Sequence, residues 1–66
     1  MAGNARGKIK EEMEGIHSNL EWIKRHSAKI KDLLGETHPE IHEMCDGWIG
    51  TASTWDELLM GVYAAV

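Results

Sequence analysis

The sequence predicts an all-α fold, a hairpin of two long antiparallel helices. Apolar residues recur at alternating steps of four and three over residues 9–34 and again over 41–66, the heptad spacing of packed helices. Gly35 and Pro39 lie between the two repeats, and these residue types commonly end one helix and begin the next.

The first helix is expected over residues 8–34, preceded by a flexible N-terminal tail over residues 1–7. Its repeat has one polar member, a serine, and consists of Ile9, Met13, Ile16, Leu20, Ile23, Ser27, Ile30 and Leu34. Glutamates lie in its early turns and lysines near its end, which suits the helix dipole. Gly35, directly after the last apolar member, predicts a left-handed residue that ends the helix.

The second helix is expected over residues 38–65. Thr37 and Glu40 have the spacing of a capping box, with Thr37 as the N-cap and Pro39 in the first turn. Glycine, serine and threonine over residues 47–54 leave open a kink or a break near 50–53, which would give three helices. A continuous helix is favoured because the heptad phase runs through this segment unbroken: Ile41, Cys45, Trp48, Ala52, Trp55, Leu59, Val62 and Val66.

Folding the two repeats back on each other predicts the core. Large residues oppose small ones at several layers, as with Ile23 against Ala52, and Trp48 and Trp55 are expected to be core residues. Ser27 is interpreted as a small residue facing Trp48, whose hydroxyl bonds the backbone carbonyl of residue 23. It has no GxSxG or SxxK context that would favour a nucleophile.

Six large side chains lie outside the main repeat and predict a second interface. They are Trp22, Leu33, Met44, Ile49, Leu58 and Tyr63. A chain of 66 residues buries a limited core, so self-association is the usual source of additional stability. We therefore expect two hairpins to form a four-helix bundle, with Trp22 either in the dimer interface or exposed to a partner.

Charge divides the chain into two halves that should attract each other. Residues 1–31 hold all 7 Lys and Arg against four Glu, a net charge of +3, whereas residues 32–66 hold seven acidic residues and no Lys or Arg. The acidic residues that could form an anionic face are Glu36, Glu40, Glu43, Asp46, Asp56 and Glu57. Such a face could engage a basic protein groove, and the basic residues of the first helix suggest nucleic-acid binding as an alternative.

Three residues near the start of the second helix have metal-ligand chemistry, namely His38, His42 and Cys45. Their spacing is compatible with one metal ion, but Cys45 belongs to the apolar repeat, so no metal site and no cofactor is predicted. His17 is expected near Asp56, as a pH-sensitive contact. Neither feature supports catalysis, and the chain is predicted not to be an enzyme.

The cysteine count and the lengths of the uncharged runs indicate the class of protein. One cysteine cannot form an internal disulfide. No uncharged run is longer than nine residues, the length of residues 58–66, which is too short to cross a membrane, so a cytoplasmic protein is expected. The sequence predicts a small protein-interaction module (an adaptor, inhibitor or regulator) acting as a helical homo-oligomer, of the size that phages and other mobile elements encode. A nucleic-acid-binding helical dimer is the alternative.

Overall fold

Two antiparallel helices form the molecule. The structure is a computed structural model that describes residues 2–66, with side chains described from Ala5 onward. Helix α1 spans Ala2–Leu34 and helix α2 spans Pro39–Ala65, and the two pack along their length. The hairpin measures 54 × 16 × 11 Å, so it is one helix thick. The predicted all-α hairpin is confirmed.

Helix α1 begins six residues earlier than predicted. Residues 2–7, expected to be a flexible tail, form the first turns of the helix. The apolar periodicity starts only at Ile9, and it was this periodicity that set the predicted boundary. Ala5 and Arg6 have high helix propensity and the segment holds no proline, so the backbone can continue as a helix without apolar packing.

The connection between the helices confirms one predicted feature and corrects another. Gly35 has φ 61°, and its N–H bonds the Lys31 carbonyl at 3.2 Å, as expected for a left-handed residue that ends a helix. The predicted N-cap at Thr37 is wrong, because its hydroxyl donates to the Leu34 carbonyl at 2.6 Å and so closes α1 instead of opening α2. His38 is the N-cap residue, with φ 52°. Its position before Pro39 disfavours the helical conformation.

Helix α2 is continuous through its glycine-rich middle. Residues 50–53 lie within the single helix Pro39–Ala65, so the three-helix alternative is wrong. Ala52, at the centre of this segment, is buried in the contact with α1. This packing explains the continuity, since each glycine costs the helix only about 1 kcal/mol.

The apolar repeat of each helix forms two rows, and successive residues within a row are seven positions apart. The core consists of one of these two rows from each helix. On α1 the buried row includes Leu20 and Ser27, each 3% exposed, and on α2 it consists of Cys45, Ala52 and Leu59. The Ser27 hydroxyl donates to the Ile23 carbonyl at 2.8 Å, as predicted. A buried hydroxyl is therefore satisfied by its own helix.

The predicted core position of Trp48 and Trp55 is wrong within the single hairpin. Trp48 is 46% exposed and Trp55 is 56% exposed. In this hairpin the contact between the helices is centred on one heptad row of each helix, and the adjacent row lies at the edge of the contact, half uncovered. Trp48 and Trp55 belong to that second row.

Candidate interaction surface

An apolar strip runs along one side of the hairpin. Ile23 from α1 and Trp48 and Trp55 from α2 line the same groove, whose floor includes Leu20 and Ala52. Residues seven apart lie in line on a helix, so the heptad partners of these three extend the strip in both directions. We call this strip the apolar face: Ile9, Ile16, Ile23, Ile30, Trp48, Trp55 and Val62.

Every member of the apolar face has between 38% and 56% of its surface exposed. The four isoleucines have 38–46% of their surface accessible, and Val62 has 52%. Isolated exposed apolar residues are common, but a continuous strip of this length is typical of a protein interface. In a four-helix bundle the two adjacent heptad rows of each helix both point inward. The hairpin therefore has the side-chain pattern of half a bundle.

The opposite side of the hairpin carries polar contacts between the helices. His17 Nδ1 donates to Asp56 Oδ1 at 2.7 Å, and the Tyr63 hydroxyl donates to Glu14 Oε2 at 2.7 Å. Lys31 pairs with Asp46 nearer the turn. We call this side the polar face: Lys10, Glu14, His17, Lys31, Asp46, Asp56 and Tyr63.

The hydrogen bond from His17 to Asp56 has an electrostatic consequence. It raises the pKa of His17 above its ordinary value of 6.5, and the negative charge of Asp56 acts in the same direction. The predicted proximity of His17 and Asp56 is confirmed. The contact is solvent-accessible, so it contributes more to the alignment of the helices than to the free energy of folding.

The six residues predicted as an interaction surface occupy three different places. Leu33, Met44 and Leu58 are exposed beside the apolar face, and Leu33 is the most exposed at 75%. Ile49 and Tyr63 are half-buried on the polar side of α2. Tyr63 also has the Lys10 ammonium 4.9 Å above its ring, so it serves contacts within the hairpin.

Trp22 lies apart from the other five on the outer surface of α1. Its ring stacks on His26 with a centroid distance of 5.6 Å, and the Arg25 guanidinium lies 5.3 Å from its centre. The side chain remains 54% exposed despite these neighbours. Trp22 therefore projects away from α2 and is available for contact with another molecule.

The predicted acidic residues do not share one surface. Asp46 and Asp56 pair with residues of α1, as the attraction between the two halves of the chain predicts. Glu40 accepts a contact from His38 at 3.3 Å near the turn. Glu36, Glu43 and Glu57 are exposed. The acidic residues thus divide between ion pairs within the hairpin and separate solvated positions.

The residues considered for metal binding at the start of α2 do not converge. Cys45 is fully buried, whereas His42 Nε2 donates to the Gly35 carbonyl at 2.7 Å and so bonds the turn. Within residues 2–66, potential ligand atoms of His17, Glu21 and Asp56 do lie within 4.8 Å of one another. Glu21 is already paired with Lys24 at 2.6 Å, so the cluster is explained as a network of ion pairs.

The surface that sequence reasoning missed is the apolar face itself. Its residues were assigned to the core of the hairpin, because the heptad repeat does not tell which helix covers which row. A two-stranded coiled coil buries both rows of its heptad repeat, so the repeat alone did not signal this exposure. The available signal was the set of large apolar residues outside the repeat, which indicates that each helix needs a further neighbour.

Comparisons with known proteins identify no relative. No protein-family model matches the chain, and searches of curated proteins and of solved structures gave no significant match. Within residues 2–66, neither helix combines the length and the apolar character that crossing a membrane requires. The functional argument therefore rests on the two faces of the hairpin.

Proposed function

We propose that this chain is a non-enzymatic protein-interaction module that works in the cytoplasm as a homo-oligomer of hairpins. The observation that carries the proposal is the apolar face, a line of isoleucines and tryptophans that neither of the two described helices covers. Its assembled form would be a four-helix bundle that presents polar outer surfaces to a protein partner, as an adaptor, inhibitor or regulator does.

The size of the face suits a second copy. The side of the hairpin that carries the apolar face measures 54 by 16 Å, a projected area of roughly 860 Å², which is large enough to supply the ~800 Å² that each partner contributes to a standard interface. The core of one hairpin is small, since its fully buried apolar residues are Leu20, Cys45, Ala52 and Leu59. A chain of this size gains from burying a second apolar surface.

A nucleic-acid-binding dimer is the second candidate. The exposed pair of Arg25 and Trp22 on the outer surface of α1 supports it, since stacked aromatic rings beside basic groups bind single strands. Two lysines of the same helix already pair with acidic residues, Lys24 with Glu21 and Lys31 with Asp46, which reduces the positive charge available to phosphates. The interaction-module proposal therefore comes first.

The deciding experiment measures mass by light scattering over a dilution series, with helicity followed by circular dichroism on the same samples. We expect an oligomer whose dissociation on dilution is accompanied by loss of helix, and whose mass is the same at low and moderate salt. A stable helical monomer at high concentration would contradict the homo-oligomer. Retention of a DNA or RNA strand that disappears at moderate salt would favour the second candidate.

A further inference from the structure

We propose that two hairpins join through their apolar faces about a two-fold axis parallel to the helices. Both turns then lie at the same end of the bundle, and each α1 packs against the partner's α2. The proposal rests on the homo-oligomer proposed above and specifies its geometry. The alternative has the axis perpendicular to the helices, with the turns at opposite ends, α1 beside the partner's α1 and α2 beside the partner's α2.

Shape distinguishes the two arrangements. The flank of α1 next to its apolar face carries His26 and Leu33, and the Trp22 ring on the outer surface stacks on His26 and adds to its bulk. The corresponding flank of α2 has a shallow concavity where Gly47, Gly50, Thr51 and Thr54 lie, which Trp55 and Leu58 also line. Large residues against small ones pack at a uniform helix spacing, whereas the alternative opposes bulky with bulky and small with small.

The contacts of the polar face place these two flanks at the same height, that is, at the same position along the long axis of the hairpin. His17 bonds Asp56, and Lys31 pairs with Asp46, so residues 22–26 of α1 lie level with residues near 50–52 of α2. A two-fold axis parallel to the helices keeps every height unchanged. The bulky flank of one copy therefore opposes the concavity of the other without any sliding.

Charge favours the same arrangement. Every Lys and Arg of the chain precedes Asp32, whereas α2 contains acidic residues and no Lys or Arg. In the proposed bundle each acidic helix has two neighbours that carry basic residues, one from its own chain and one from the partner. The alternative places the two α2 helices side by side, and each has a net negative charge, which makes this arrangement less favourable than the pairing of unlike helices.

Distance measurement between spin labels separates the two arrangements. Glu36→Cys, in the exposed turn, is labelled with a nitroxide in a Cys45→Ala background, and helicity and mass are checked first. If Cys45→Ala unfolds the chain, native Cys45 is kept, since its full burial protects it from the label. We expect an interspin distance of roughly 20–30 Å, because neighbouring helices of a bundle lie about 10 Å apart and the label arms add to this spacing.

Each outcome bears on a different claim. A distance near the 54 Å length of the hairpin would overturn the orientation and leave the homo-oligomer intact. A monomeric mass at all concentrations would overturn both.

A cross-linking experiment tests the neighbouring helices directly. His26→Cys and Thr51→Cys are made in separate chains of different mass, both with Cys45→Ala, and mixed with a short bismaleimide. We expect a covalent dimer with one chain of each kind in the mixture, and at least tenfold less product from either variant alone. A mixture that yields no more of the mixed dimer than either variant alone yields of its own dimer would overturn the proposal.

Discussion

The two long sides of the hairpin serve different purposes. The polar face joins α1 to α2 by two hydrogen bonds in the half away from the turn and one ion pair near the turn, and each of its pairs lies at or near the surface. The apolar face has no such pairs, and its side chains are left half-covered by the hairpin. Accessible ion pairs contribute up to ~1 kcal/mol each, whereas full burial of a large apolar side chain contributes ~1.5–3 kcal/mol.

The polar face and the apolar face contribute differently to the fold. Directional contacts on the polar face fix which residue of α1 lies opposite which residue of α2. Apolar burial, which has no direction of its own, supplies most of the stabilising free energy and is incomplete in one hairpin. Changes on the apolar face should therefore alter the oligomer, and changes on the polar face should alter the hairpin only slightly.

The largest effect is expected from a charge on the apolar face. Ile23→Asp places a carboxylate in the groove beside Trp48 and Trp55, where association would have to bury it without a partner. We expect a monomeric mass at micromolar concentration together with reduced helicity. Ser18→Asp, on the exposed outer surface of α1, is the matched control and should keep the mass of the original chain. An unchanged mass for Ile23→Asp would show that the apolar face is not the interface.

The next effect compares two leucines of α1. Leu20 is 3% exposed and Leu33 is 75% exposed. Leu20→Ala removes buried contacts with α2 and should lower the free energy of unfolding by about 2–4 kcal/mol, whereas Leu33→Ala should change it by no more than about 0.5 kcal/mol in the hairpin alone. Urea unfolding of both variants at one protein concentration measures the difference. In the oligomer the proposed bundle predicts a cost above about 1 kcal/mol for Leu33→Ala, because its flank packs against the partner, and a smaller cost would place Leu33 outside the interface.

A third comparison uses neighbours that point to opposite faces. Val62 belongs to the apolar face and Tyr63 to the polar face, where its hydroxyl bonds Glu14. If a second copy covers Val62, Val62→Ala should cost about 1.5 kcal/mol and weaken association. Tyr63→Phe should cost less than Val62→Ala and leave the mass unchanged, since its lost hydrogen bond is exposed. Weaker association for Tyr63→Phe alone would reverse the assignment of the faces.

Sequence periodicity and residue type were sufficient to predict the hairpin, because the two helices and the turn between them depend on local chemistry. The left-handed Gly35, the hydroxyl bond of Ser27 and the proximity of His17 to Asp56 all follow from residue type and spacing. The cap at Thr37 could not be derived in this way. Its hydroxyl had two backbone groups within reach, the carbonyl that ends α1 and the amide of α2, and only the path of the turn decides between them.

The candidate surface was harder to predict than the fold. A heptad repeat states that Trp55 needs apolar neighbours but does not state whether they come from the same chain. The distinction depends on how many helices surround each row, which is a property of the assembly. Trp22 shows the same limit, because its stacking on His26 and its exposure follow from side-chain packing that spacing alone does not specify.

The smallest expected effect is a pH dependence confined to the polar face. The hydrogen bond to Asp56 raises the pKa of His17 in the folded chain above its ordinary value of 6.5. The folded state therefore binds the proton more tightly than the unfolded state does, and its contribution to stability is complete below pH 6.5. This contribution is lost as the pH rises through the raised pKa. The unfolding midpoint should fall slightly over that range while the oligomer mass stays constant.

Asp56→Asn should flatten this part of the profile, because the amide keeps a polar contact but cannot favour the imidazolium. A profile that Asp56→Asn leaves unchanged would assign the pH dependence to other groups, and a mass that changes with it would show that the polar face also participates in assembly.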